Sequence, residues 1–140
     1  MIHQNRFAEI ISRKIKRYNF IGNQMNQPTP QTVGEYLEER AINQQSVFYG
    51  DLVAHFGMAP LTEFWSAHPL SEIFEFLDQE DAMNNRPFRT AVVITREGNM
   101  PGDGFFEALE RLKDIQDINN DRRWEVFTRE LNEAFAYPWG

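Results

Sequence analysis

The sequence predicts a mixed α+β fold that is mostly helical, and three observations carry that expectation. Apolar residues recur at helical spacing in six separate segments, a single β-branched run at Thr90–Thr95 changes the period from helix to strand, and glycine and proline cut the chain where those patterns break. At 140 residues and 41% hydrophobic content the chain is long enough to bury one core without staples.

Phe7, Ile10, Ile11, Ile15 and Tyr18 stand at helical spacing with bases between them, so residues 1–20 read as a basic amphipathic helix. Its positive face is either a solvated surface or a contact for nucleic acid or a partner. Residues 21–31, polar and carrying two prolines, read as a linker to a domain spanning residues 32–137. Thr32 with Glu35 has the capping-box spacing, and Val33, Tyr36, Leu37 and Ala41 form the apolar face of the helix behind it. Ser46 is placed to cap a short helix with Tyr49, Leu52, Val53 and Phe56 inward, ended by Gly57 and Pro60. From Pro69 a third helix turns Leu70, Ile73, Phe74 and Leu77 inward and Glu72, Glu75 and Asp78 outward.

Thr90–Thr95 is apolar on both faces and reads as a covered strand, followed by a break at Gly98, Pro101, Gly102 and Gly104. Phe105, Phe106, Leu109, Leu112 and Ile115 restore helical spacing, and Trp124, Phe127, Leu131 and Phe135 form the stripe of a last helix, capped by Asp121 and ended near Pro138. Three helices, a strand, a glycine-bearing turn and further helices is the order of a winged-helix-like core with a short sheet and flanking N- and C-terminal helices. A second wing strand falls at Asn99–Phe106, where Pro101 and the glycines keep any pairing short.

Net charge is −7, but Arg6, Arg13, Lys14, Lys16 and Arg17 against Glu9 make the first twenty residues basic, so the acid excess belongs to the rest. Between Thr32 and Ala82 the acids are Glu35, Glu38, Glu39, Asp51, Glu63, Glu72, Glu75, Asp78, Glu80 and Asp81, against the single base Arg40. Such a surface repels phosphate backbones and suits a basic partner. The absence of cysteine removes thiol nucleophiles, disulfides and thiolate metal sites. No apolar run approaches the length of a membrane span, and the N-terminus has no signal-peptide core, so the expectation is a soluble, cytoplasmic protein.

The segment Phe48–Pro60, FYGDLVAHFGMAP, together with RPFRTAVVITREG, resembles the winged-helix DNA-binding domain of alkylguanine alkyltransferases and alkyltransferase-like proteins, over about a third of the chain. The resemblance sets Tyr49-Gly50 on that family's tyrosine-glycine pair, Gly57 on its helix-ending glycine and Pro87-Phe88-Arg89 on the motif that holds the reactive cysteine. Phe88 occupies the nucleophile's place, and alkyl transfer consumes a thiolate. Where the family's recognition helix carries an arginine and small residues, this chain carries Glu72, Glu75 and Asp78, with no base between Arg40 and Arg86. The stretch Arg86–Phe106 also resembles small bacterial and phage proteins of unassigned role.

Pro101–Gly104 offers either an anion-holding nest at a helix start or a structural turn, and Gly104→Val separates them: unfolding marks a turn, a folded variant lacking one binding activity marks a site. His3, His55 and His68 lack metal-ligand spacing, so no metal or cofactor is expected. Asp51 and His55, one turn apart, form either a proton-transfer pair or an ordinary surface contact. Phe64-Trp65, Phe74 with Phe76, and Phe105-Phe106 leave one member of each pair exposed unless further helices cover both sides.

These readings converge on a non-enzymatic, acidic interaction protein that binds another, basic, protein, a phage or mobile-element accessory or inhibitor. Its expected contact residues are Glu72, Glu75, Asp78 and Trp65. A DNA mimic is a special case, for which 21 acids offset by 14 bases is a thin charge. The alternative is a winged-helix DNA-binding regulator gripping phosphates with Arg13, Lys14, Arg17, Arg86 and Arg89.

Overall fold

The computed structural model describes residues 27–62 and 64–140. The basic first helix, with Arg13, Lys14 and Arg17, lies outside the described residues, as does most of the linker. Within them the fold is mostly helical with a short two-stranded sheet. In chain order it runs α1 (Pro30–Ile42), β1 (Val47–Phe48), α2 (Tyr49–His55), a 3₁₀ turn (Trp65–Ala67), α3 (Pro69–Met83), a second 3₁₀ turn (Arg89–Val92), β2 (Val93–Ile94), α4 (Asp103–Lys113) and α5 (Asn120–Ala136).

Helix α1 begins inside the expected linker. Thr29 is its N-cap, accepting from the Thr32 amide at 3.1 Å while Thr32 Oγ1 accepts from the Thr29 amide at 2.9 Å. The capping box is therefore Thr29 with Thr32, not Thr32 with Glu35, because Pro30 suits the first helical position, where no amide hydrogen is required. Val33, Leu37 and Ala41 are fully buried on its inner face. Helix α2 starts without a side-chain cap, since Ser46 lies before β1 rather than at the helix end. It stops in a Schellman motif: Gly57 takes φ +64°, its amide donates to Ala54 O, and the Met58 amide donates to Val53 O.

Helix α3 is capped by His68, whose Nδ1 accepts from the Leu70 amide at 3.1 Å while Nε2 bonds the Ala59 carbonyl at 2.8 Å. Its buried face is Leu70, Ile73, Phe74, Leu77, Asp78 and Asp81. Asp78, expected outward, is therefore inward. The spacing of Phe74 and Leu77 continues to 78 and 81, and helical geometry, not side-chain polarity, decides the face.

The run read as a strand from Thr90 is strand only at Val93–Ile94, and Arg89–Val92 forms a 3₁₀ turn instead. Asp81 imposes this: one carboxylate oxygen accepts from the Arg89 amide at 2.9 Å, and the same carboxylate pairs with the Arg89 guanidinium at 3.0 Å. Strand β2 pairs parallel with β1, Val47 opposite Val93 and Phe48 opposite Ile94. Among the described residues no second wing strand forms. Asn99 donates back to Thr95 O, the Thr95 amide donates to Met100 O, and α4 has begun by Asp103.

Two apolar clusters build the interior. One joins α1, α2, α3 and the sheet around Leu37, Leu52 and Leu77, and the other joins α4 and α5 around Phe88, Phe105, Phe106 and Phe127, with Leu131 packed against both. Phe88 is completely buried, so the position that the alkyltransferase resemblance assigns to a nucleophile is a core position. Phe105 and Phe106 are both buried, whereas Phe64 and Phe76 are exposed beside buried or half-buried neighbours. Helix α5 is capped by Asn119 rather than Asp121, and Trp124, expected inward, lies exposed over the edge of Phe127. No described helix is long and apolar enough to cross a membrane.

Candidate binding cleft

A cleft of about 650 Å³ opens between the start of α2, Leu61, Thr62, Trp65 and Ser66, α3, and the loop that enters α4. Its aromatic wall is built from three elements: Tyr49 at the first position of α2, Trp65 in the 3₁₀ turn and Phe74 on α3. Their ring centroids lie 5.7 to 6.0 Å apart, with Tyr49 edge-on to Trp65. Trp65 is held by a parallel stack on the buried His68 ring at 6.3 Å, so the helix cap also sets the wall. Phe48 and Phe105 complete the apolar lining.

Two polar side chains lie at the bottom. The Tyr49 hydroxyl accepts from the Gly102 amide at 3.1 Å, which ties the start of α2 to the start of α4. Burial pushes its pKa up to about 12; the Gly102 bond opposes this and the nearby Asp78 adds to it. Asp78 is 4% exposed and accepts from Thr90 Oγ1 at 2.7 Å. Burial pushes its pKa up to about 8; the Thr90 bond lowers it, Asp81 and Glu130 raise it, and Arg89 lowers it. Below that pH the floor of the cleft therefore presents a neutral carboxylic acid beside a phenol.

The rim is charged. Glu75 pairs with Arg111 across the opening at 3.7 Å, Arg96 reaches Asp51 at 3.2 Å while lying over the Phe48 ring, and Asp103 pairs with Arg123 at 2.7 Å. Glu97 and Glu107 also line the rim and pair with no base among the described residues. Acid exceeds base around the mouth.

Of the residues read from the sequence as partner contacts, Trp65, Glu75 and Asp78 come together in this cleft, with Asp78 as floor rather than surface. Glu72 is exposed on α3 but outside the lining. The arginines assigned to phosphate contact are placed otherwise. Arg89 is 5% exposed and bound to Asp81, Glu80 and Glu38, while Arg86 is largely buried against Asp81 and Glu80, and both guanidinium groups lie by the Trp139 ring. The buried Asp81, with Glu80 and Glu38 beside it, has taken them, because arginines sealed in a core need counter-charges.

Asp51 and His55 form no pair: Asp51 turns to Arg96, and His55 packs on the Tyr36 ring at 4.5 Å. At Pro101–Gly104 the Gly102 amide is occupied by Tyr49 and Asp103 by Arg123, so an anion nest there has lost a donor. Thr90, Glu107 and Arg111 carry no signal in the sequence as site residues, and nothing in the spacing of Tyr49 and Arg96 joins them to Trp65, Glu75 or Asp78. No group of three or more metal-ligating side chains gathers among the described residues. The chain matches no protein-family model, no curated protein and no solved structure.

Proposed function

We propose that this protein is a non-enzymatic interaction protein that seats a basic segment of another protein in the cleft. The observation that carries the reading is the joining of an aromatic wall, Tyr49, Trp65 and Phe74, to a rim on which Glu75, Glu97, Asp103 and Glu107 outnumber Arg96 and Arg111. Aromatic anchors ringed by charge of one sign supply both the apolar contact and the steering that a basic segment requires. The order helix, strand, helix, helix, strand is shared with a winged helix, and we read the domain as a variant of that frame whose acidic third helix has been turned to protein. A cytoplasmic setting, in a phage or mobile-element context, is part of the same proposal and agrees with the lack of cysteine.

The test is affinity capture from host lysate with the full chain, comparing wild type with the rim-reversed variant Glu75→Lys/Glu107→Lys. Expected is a protein retained by wild type at low salt, cross-linked through a Lys- or Arg-rich segment and lost by the variant. Retention of the same proteins by both would refute the reading.

A further inference from the structure

Asp78 sits at the bottom of the cleft with one carboxylate oxygen bonded to Thr90 and with no second hydrogen-bond partner among the described residues, although the side chain is 4% exposed. Buried carboxylates are ordinarily satisfied, as Asp81 is one turn along the same helix by Arg86, Arg89 and the Arg89 amide. Trp65 and Phe74 line the same cleft with their ring centroids 5.7 Å apart, and Glu75 lies one turn back from Asp78 on α3. An aromatic wall beside a carboxyl whose second oxygen has no protein partner among the described residues and opens to the cleft has the form of a socket for a long side chain ending in a cation.

We infer that the cleft recognises its partner through one lysine or arginine side chain, its stem along the wall formed by Tyr49, Trp65 and Phe74 and its head group on the Asp78 carboxylate. This rests on the reading of the cleft as the partner site. The balance is simple: Asp78 enters as the neutral acid, the incoming cation stabilises the carboxylate, and the displaced proton passes to solvent. The groups that face Asp78 decide whether this happens. Glu75 and Asp81 lie on its own helix, Arg89 and Thr90 on the 3₁₀ turn, Tyr49 on α2, Glu130 on α5, and Arg111 on α4 beside Glu75. Arg89 is already committed to Asp81, Glu80 and Glu38, and Arg111 to Glu75, so a visiting cation meets a carboxyl that no internal base neutralises. Burial, with Asp81 and Glu130 nearby, holds that carboxyl protonated to about pH 8, which makes capture of the cation pH-dependent.

The experiment uses the full chain and four probes of one shape: n-butylammonium and n-butylguanidinium, which copy the two side chains, and n-butanol and pentanoate as neutral and anionic counterparts. Binding is followed by NMR at the Trp65 indole N–H and the Asp78 carboxyl carbon. Expected is binding of the two cations, tightening about tenfold per pH unit from pH 6 to 7 and levelling above about pH 8. In Asp78→Asn, whose amide can still accept from Thr90 and whose fold is checked by its amide spectrum, the pH dependence disappears and binding at pH 9 falls at least tenfold. Cations that bind equally at pH 6 and 9, n-butanol binding as well as they do, pentanoate binding that weakens as pH rises, or no response at Trp65 to any probe would each overturn the inference. Partner capture that survives in Asp78→Asn but is lost in the rim-reversed variant would overturn it while leaving the partner reading intact. Cations that titrate Asp78 while both baits retain the same proteins would support the socket and remove the partner reading.

Discussion

Replacing Asp78 by asparagine isolates the energetic consequence of a carboxyl placed at the bottom of the cleft. In the unfolded chain this group loses its proton near its ordinary value of 3.8, and in the native fold burial holds the proton to about pH 8. Between those values the native state binds one proton more than the unfolded state. Stability from this group is thus fully present below about pH 4 and is lost as pH rises towards 8. Each pH unit in that window costs about 1.4 kcal/mol, so pH 5 to 8 spans a ceiling of about 4 kcal/mol; water entering from the open cleft brings the expected loss to about 2 kcal/mol. The asparagine amide has no proton to lose in this range, so the variant escapes this decline. Urea unfolding of both proteins at pH 5, 6, 7 and 8 measures the difference directly, because other titrating groups are common to the two. The expected result is a variant that gains about 2 kcal/mol on wild type between pH 5 and pH 8. Curves that stay parallel within about 0.5 kcal/mol would refute the placement of Asp78 as a buried neutral acid. Asp81→Asn is the control of opposite sign: it removes the buried charge that Arg86 and Arg89 share, leaving Arg89 to Glu80 and Glu38, and should lose about 3 kcal/mol at pH 5.

Two further outcomes follow from glycines. A side chain at Gly104 would stand 3.6 Å from Trp65 Nε1, an ordinary contact, and Gly104 is not among the residues with positive φ, so Gly104→Val should fold with urea stability within about 1 kcal/mol of wild type while narrowing the cleft and weakening n-butylguanidinium binding at least fivefold; an unfolded variant would restore the structural-turn reading. At Gly34, by contrast, an added Cβ would lie 2.7 Å from Arg89 Nη1 and 3.1 Å from Leu77 Cδ2. Helix propensity alone would make Gly34→Ala about 1 kcal/mol more stable, yet displacing the guanidinium from Asp81 and Glu38 should outweigh that and leave the variant 1–2 kcal/mol less stable, roughly, by urea unfolding; a net gain would show that Arg89 repositions freely.

Helix positions were legible from the sequence because the apolar period is strong: Val33, Leu37 and Ala41, or Leu70, Ile73, Phe74 and Leu77, announce their faces without help from the rest of the chain. The same period, carried on without regard to charge, also marks 78 and 81 as inward. Reading Asp78 as solvated gives polarity precedence over geometry, and the buried partners that reverse that precedence, Thr90 for one aspartate and Arg89 for the other, come from beyond the helix. The strand is cut short for a related reason. Thr90–Val92 has strand composition, but Asp81 binds the Arg89 amide and side chain together, and that tertiary bond curls the segment into a 3₁₀ turn before Val93 can pair with Val47. The cleft was the least legible feature. Trp65, Glu75 and Asp78 stand out individually for aromatic and acidic character, but Tyr49, Gly102 and Arg111 join them only through folding, and no local period encodes a distance between α2 and α4.

Asp78 and Asp81 are a natural experiment on one helix. Asp81 is fully enclosed, and although burial raises its pKa against the pull of two arginines and a backbone amide, it dictates the path of the chain through Arg89. Asp78 does none of this. Thr90 is its one hydrogen-bond partner among the described residues, an asparagine could accept the same bond, and a leucine would continue the apolar stripe. A residue that lowers stability above pH 4 and fixes no backbone is poorly explained by folding alone, since carboxyls held out of their ordinary ionisation range gather where function needs them. What Asp78 does have is an opening: it lines a cleft walled by Trp65 and Phe74, with Glu75 one turn back and surplus acid around the mouth. On the proposed reading a cation arriving from outside recovers the burial cost, and the same cost gives selectivity, because an anionic visitor cannot relieve it.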